Sequence, residues 1–185
     1  MAIDKPNQMK YKFLVLIAVM IAIVGCQKNE KKSISQPDKD TKELSGKGYS
    51  IQYDSSFRLD ESGRNGTEFY LFTPTAPGDD FSENINLIIQ NLGVLKYDLN
   101  QFITLSEKQI EANGKLIESV RKNENGQEYH ILIFETKMNG FDLKFLQYDF
   151  VKNDKAYVLT FSAKKDEFEN HRKSIEKVMN SFGLE

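Results

Sequence analysis

Asp79, Asp80, Glu83 and Asn84 place four side-chain oxygen donors within six residues. Hard cations such as calcium take several oxygen ligands, and a loop of this composition supplies three or four. The spacing matches no calcium loop, and acidic residues beside Pro77-Gly78 more often cap or solvate a turn, with Asp80 placed to N-cap a short helix. Asp79, Asp80 and Glu83 are therefore the metal candidates, weighed against a plain turn. Nucleophilic catalysis needs a Ser, Cys or Thr activated by a base. The single cysteine, Cys26, sits near the N-terminus, and no Gly-x-Ser-x-Gly segment occurs. His130 falls in the run Glu128-Tyr129-His130-Ile131-Leu132, and His171 at the edge of an apolar helical stripe, where a packed structural histidine is the better reading. Two isolated histidines make no metal motif. Gly63 and Gly66 lie among polar turn residues with no Gly-Lys-Ser/Thr after them, so no phosphate loop is present. The residues point to no catalytic group and no cofactor site.

Cys26 asks for a different chemistry. It follows Ile23-Val24-Gly25 at the end of twelve apolar residues, Phe13 to Val24, behind the basic Lys10 and Lys12. The basic start and apolar run have the proportions of a signal peptide, and the run is short of the roughly 20 residues a membrane-spanning helix needs. Ile23-Val24-Gly25-Cys26 resembles the lipobox of bacterial lipoproteins, with Ile23 where Leu is most common. The resemblance implies cleavage between Gly25 and Cys26 and a diacylglyceryl group on the thiol. Stable anchoring takes two acyl chains or more, which that modification supplies. Gln27 stands where an aspartate retains many lipoproteins at the inner membrane, so the outer membrane is favoured, on its periplasmic face or at the cell surface. Gln27-Lys28-Asn29-Glu30 also resembles a lysine-plus-acidic surface-export tag, departing from it at Asn29, and an ordinary solvated tether is the better reading.

Residues 27–47 hold six Lys against four acidic residues, with Ile34 and Leu44 almost alone as apolar groups. Such a segment cannot bury enough surface to offset its chain entropy, so residues 26–47 are expected to form the lipidated end of a flexible linker. From Gly48 onward 16 Lys and Arg face 22 Asp and Glu, a net charge of −6. That balance argues against a nucleic-acid partner. Twelve of the thirteen Phe and seven of the eight Tyr lie in this region, enough for one core without disulfides.

The elements that position these groups follow from periodicity. Tyr49 to Tyr53, Thr67 to Thr73 and Ile85 to Leu92 read as strands. Asp98 with Gln101 opens a helix as a capping box, Leu99, Phe102, Ile103 and Ile110 share its apolar face, and Asn113-Gly114 stops it. Four strands follow: Lys115 to Arg121, Glu128 to Thr136, Phe141 to Lys152 and Lys155 to Ala163. Asn139-Gly140 and, more weakly, Asn153-Asp154 mark two-residue hairpins. A last helix is expected from Asp166, boxed by Glu169, with Phe168, Ile175, Val178, Met179 and Phe182 as its stripe and Gly183 as its stop. Apolar groups on both faces of the strands around Asn153-Asp154 call for cover on both sides. The class is α+β, an antiparallel sheet of about six to seven strands sandwiched by helices.

Gly48-Tyr49-Ser50-Ile51-Gln52-Tyr53, the stretch Asp80-Phe81-Ser82-Glu83-Asn84-Ile85-Asn86 before a strand, and the ending Ile175…Asn180-Ser181-Phe182 together resemble the PsbP-like (Mog/PsbP) fold, shared by the bacterial envelope protein DcrB and its relatives. The resemblance covers residues 48–185 and implies a helix–sheet–helix sandwich with a non-enzymatic binding or accessory role. The division expected is a signal peptide (1–25), a lipidated linker (26–47) and one domain (48–185). Its partners would be the membrane, through the lipid, and an envelope protein. The rivals are an envelope hydrolase or metal-dependent enzyme, whose carboxylates only the fold would bring together, and a purely structural envelope component.

Overall fold

Along the strand Phe141–Lys152, Leu143, Phe145, Gln147 and Asp149 alternate with Leu146, Tyr148 and Phe150, and both sets are buried. Side chains of a strand alternate between faces, so this strand lies between two covered layers. The computed structural model describes residues 41–185 apart from Ala76 and Asn125. The expected signal peptide (1–25), Cys26 and linker residues 26–40 lie outside the described residues.

In chain order the elements are β1 (Thr41–Gly46), β2 (Tyr49–Asp54), β3 (Arg58–Asp60), a 3-10 turn (Arg64–Gly66), β4 (Phe69–Phe72), β5 (Asn84–Asn91), α1 (Leu99–Asn113), β6 (Lys115–Glu124), β7 (Gln127–Met138), β8 (Phe141–Lys152), β9 (Lys155–Lys164), α2 (Phe168–Met179) and β10 (Gly183–Leu184). The seven-stranded sheet runs β3-β4-β5-β9-β8-β7-β6, every pair antiparallel. One face buries Phe102, Ile103 and Ile110 of α1 against Leu132, Phe134 and Phe145. The other buries Phe168, Ile175 and Met179 of α2 against Leu146, Leu159 and Phe161. The helix–sheet–helix sandwich is thus the architecture.

The hairpins sit where the dipeptides place them. Asn139 and Gly140 have φ of 51° and 88°, and Asn153 and Asp154 have 51° and 57°. Two successive left-handed residues make the turn whose twist matches that of paired strands. At α1 the capping box is complete: the Gln101 amide donates to Asp98 Oδ1 at 2.8 Å, and the Asp98 amide to Gln101 Oε1 at 3.0 Å. Gly114 ends the helix for another reason than chain reversal. Its backbone is extended, and a Cβ there would collide with the Glu135 carbonyl oxygen.

Four expectations need correction. Thr41–Gly46, expected as part of a flexible linker, is a strand, paired along its length with β2 from Thr41↔Asp54 to Gly46↔Tyr49. Its composition is polar because it is an edge strand with exposed faces, and only Leu44 packs against the core. The strand at Tyr49 to Tyr53 does not join the main sheet; it is the middle of a three-stranded sheet, β1-β2-β10, laid over the α2 face. The last helix starts two residues late, at Phe168, and its cap residue Glu167 makes no side-chain capping bond. Glu169 instead reaches Lys144 Nζ at 2.8 Å, and the turn off β9 is closed by the Glu167 amide donating to the Lys164 carbonyl at 3.1 Å. Gly183 is not a helix stop either: α2 closes at Asn180, and Gly183 begins β10, pairing with Ser50 of β2. Phe182 between them is buried as expected.

Candidate functional site

The acidic loop before β5 divides in two. The Lys164 ammonium holds Asp79 at 2.8 Å and Asp80 at 2.6 Å. Burial alone would raise the Asp79 pKa, but hydrogen bonds from Lys164 and the Phe81 amide outweigh it and leave it lowered. The paired carboxylates in turn push Lys164 up. Asn84 Nδ2 donates to the Ser82 carbonyl, and its Oδ1 accepts from Asn86. Asp79, Asp80 and Asn84 are thus committed within the protein, and Glu83 is the buried carboxylate of the four.

Glu83 is 2% exposed, and its Oε1 has no hydrogen-bond partner. Its carbonyl accepts from the Thr73 amide at 3.0 Å and hydroxyl at 3.3 Å, which pins the residue at the mouth of β5. Pairing of β5 with β9, from Asn84↔Ser162 onward, sets Glu83 beside the end of β9, where the chain turns into α2. There stand Glu167 and His171, four residues apart and so on one side of the helix start. One ligand atom from each of Glu83, Glu167 and His171 lies within 4.8 Å of the other two, and the two helix residues are half-buried. Burial raises the Glu83 pKa, and the neighbouring Asp79 and Glu167 add to that against the pull of its own amide and of His171. This constellation was only partly legible in the chain. The sequence offers Glu83 as a candidate ligand, gives no mark to Glu167, and places His171 as a packed structural residue. Its ring does approach Phe161, with centroids 6.3 Å apart, but a ring nitrogen faces the two carboxylates. The four-residue spacing of Glu167 and His171 was the available signal.

His130 belongs to a different cluster on the α1 face. Ser119 Oγ donates to Glu107 Oε1 at 2.5 Å and lies 2.7 Å from His130 Nε2. With its only hydrogen given to Glu107, the hydroxyl is left as an acceptor, which the Nε2–H tautomer of His130 would match. A catalytic serine needs the reverse, an imidazole nitrogen taking the hydroxyl proton. Burial and the nearby Arg121 lower the His130 pKa, against a smaller opposing effect of Glu107. The cluster ties α1 to β6 and β7, as does Arg121 donating to Asn100 at 2.7 Å.

The fold also opens a cleft of about 260 Å³ between the β6–β7 and β8 strand ends and the α2–β10 turn. Tyr129, Tyr148, Phe150 and Phe182 wall it, with Glu124 and Asn180 at its rim. The Tyr129 hydroxyl donates to Glu124 at 3.1 Å, and the Tyr148 hydroxyl to Asn180 at 2.9 Å. Burial, then the bond to Glu124, pushes Tyr129 up to about 12. Burial likewise raises Tyr148, with Tyr129 beside it. Both phenols are therefore neutral donors at physiological pH, fixed in orientation by their partners.

Among the described residues no helix is long and apolar enough to cross a membrane. The family model described as PsbP matches residues 39–184. Among solved structures, the chain is similar to cyanobacterial PsbP (CyanoP) from Synechocystis, at 16% identity with a TM-score of 0.58, over 84% of this chain and 98% of that one. It is similar to LpqN of Mycobacterium tuberculosis, described as involved in cell envelope biogenesis, at 14% identity with a TM-score of 0.59, over 78% and 91%. PA94 of Pseudomonas aeruginosa, described as a protein of unknown function and putative regulator, aligns at 10% identity with a TM-score of 0.55, over 76% and 94%. No curated protein matches by sequence.

Proposed function

The chain belongs to the PsbP family, and we propose that it works as a lipid-anchored accessory protein of the bacterial cell envelope, binding a protein partner without catalysis of its own. The observation that carries the binding reading is the aromatic cleft. Four rings form a wall whose phenols are already oriented by Glu124 and Asn180. The rings themselves are nearly buried, so what the cleft offers a partner is a rigid floor with polar groups already fixed in place, at little cost in side-chain ordering. The anchor rests on Ile23-Val24-Gly25-Cys26 behind the apolar run, and Gln27 favours the outer membrane. LpqN, of the same fold, is described as involved in envelope biogenesis, which supports the compartment. At the Ser119–His130–Glu107 cluster the serine donates to Glu107, which suits a link between α1 and the sheet better than an activated nucleophile.

Two measurements test this. Cys26→Ser leaves the membrane fraction for the soluble one if the thiol carries the anchor; a variant that still floats with membranes ends the lipoprotein reading. Crosslinking in intact cells, followed by mass spectrometry, captures an envelope protein with the wild type and loses it with Glu124→Arg at the cleft rim. An unchanged set of captured proteins removes the cleft as the binding surface.

A further inference from the structure

We propose that Glu83, Glu167 and His171 bind one zinc-class divalent ion in the notch between the loop before β5 and the first turn of α2. Three observations carry this. The ligand atoms converge within 4.8 Å although Glu83 and His171 come from distant parts of the chain. Glu83 is 2% exposed, one of its carboxylate oxygens belongs to this group, and its Oε1 has no partner in the protein. A buried carboxylate oxygen without a donor is costly, and a cation in the notch supplies what the protein does not. Finally, Asp79 and Glu167 add negative charge beside Glu83, and the ammonium of Lys164 is already engaged by Asp79 and Asp80.

Lys164 does not take the ion's place. Its Nζ is held by Asp79 and Asp80 at 2.8 and 2.6 Å and stands farther off, at 3.7 Å, from Glu167. The imidazole decides the class of ion. Calcium and magnesium take oxygen ligands, whereas a nitrogen among carboxylates suits zinc and its neighbours. Three protein ligands leave a fourth position for water or for a group of a partner, the pattern of an open zinc site. Ligands about 2.1 Å from a tetrahedral ion stand roughly 3.4 Å apart. The half-buried side chains of Glu167 and His171 can close that distance by rotamer shifts, with Glu83 as the fixed wall. The site is separate from the aromatic cleft and depends neither on the anchor nor on the partner.

The test uses the full chain in detergent carrying Cys26→Ser, so that no thiolate competes for metal. Zn²⁺ is titrated by calorimetry and against a chromophoric chelator, with Ca²⁺ titrated in parallel. The expected result is one Zn²⁺ per chain, a thermal midpoint raised by Zn²⁺, and binding weakened at least about tenfold in His171→Asn, Glu167→Gln and Glu83→Gln. Glu128→Gln, on the β7 strand away from the notch, should bind as the parent does. If Glu83→Gln fails to fold, the two helix variants decide the matter, since their side chains are only half-buried. No stoichiometric Zn²⁺, equal binding by His171→Asn, or tighter binding of Ca²⁺ than Zn²⁺ would each overturn the proposal.

Discussion

Phe182 stacks on Tyr49, their ring centroids 5.8 Å apart and their planes 20° from parallel. The contact joins the turn after the last helix to β2, and Phe150 of the main sheet closes on the same ring at 5.1 Å. Three layers of the fold therefore meet at one side chain near the end of the chain.

Phe182→Ala should lower stability by about 3–5 kcal/mol, the usual range for emptying a buried phenylalanine site. Lys173→Ala, on the exposed side of α2, should stay within about 0.5 kcal/mol. Denaturant melts of the two variants measure the difference. Equal small losses would mean that the α2–β10 turn is not held by the aromatic contact.

A chain beginning at Lys47 lacks β1, which pairs with β2 over six residues and packs Leu44 against the core. It should still fold, with a stability about 1–3 kcal/mol below that of a chain beginning at Thr41. Matching urea midpoints for the two would show that β1 contributes nothing.

Asp149 is fully buried on the α1 face, its two oxygens accepting from Gln147 Nε2 at 3.0 and 2.9 Å. Burial lifts its pKa to about 7, and the Gln147 bonds only partly offset this. The folded protein keeps a proton that the unfolded chain releases near pH 4, so stability falls as pH rises from about 4 to 7 and levels off above. Between pH 5 and 8 the wild type should lose roughly 2–3 kcal/mol that Asp149→Asn retains. Melts at the two pH values check this, and parallel losses in both proteins would refute it.

Two glycines should fail on substitution for different reasons. Gly140 has φ of 88° and open space around its Cβ position, so Gly140→Ala should cost about 1–2 kcal/mol through backbone strain alone. Gly114 has an ordinary extended backbone, yet its Cβ would meet the Glu135 carbonyl. Gly114→Ala should therefore cost more, and separate α1 from the start of β6. Thermal melts rank the pair.

Where local chemistry decided the structure, the chain was readable. Asp98 and Gln101 satisfy each other within one turn, and Asn139-Gly140 needs no distant partner to reverse the chain. The apolar stripes of both helices announced their buried faces by spacing alone. β1 was not readable because its stability comes from backbone pairing with β2, which leaves polar side chains free to face water. Asp166 and Glu169 looked like a capping box, but Phe168 is buried against Phe161, and that packing fixes where α2 begins. The Glu83–Glu167–His171 notch was beyond local reasoning: β5–β9 pairing joins residues that lie far apart in sequence. Asp79 and Asp80 drew attention by clustering, but their partner Lys164 came from the far end of the chain.

The placement of β1 has a mechanical consequence. If the proposed anchor at Cys26 holds the chain, a pull from the bilayer reaches β1 at Thr41, on a strand of which only Leu44 packs against the core. A pull across the sheet breaks the pairs one after another, from Thr41↔Asp54 toward Gly46↔Tyr49. Six released residues lengthen the leash by about 20 Å, while the seven-stranded sheet stays intact. In an anchored chain β1 would thus give way before the seven-stranded sheet, to which it does not belong, is loaded.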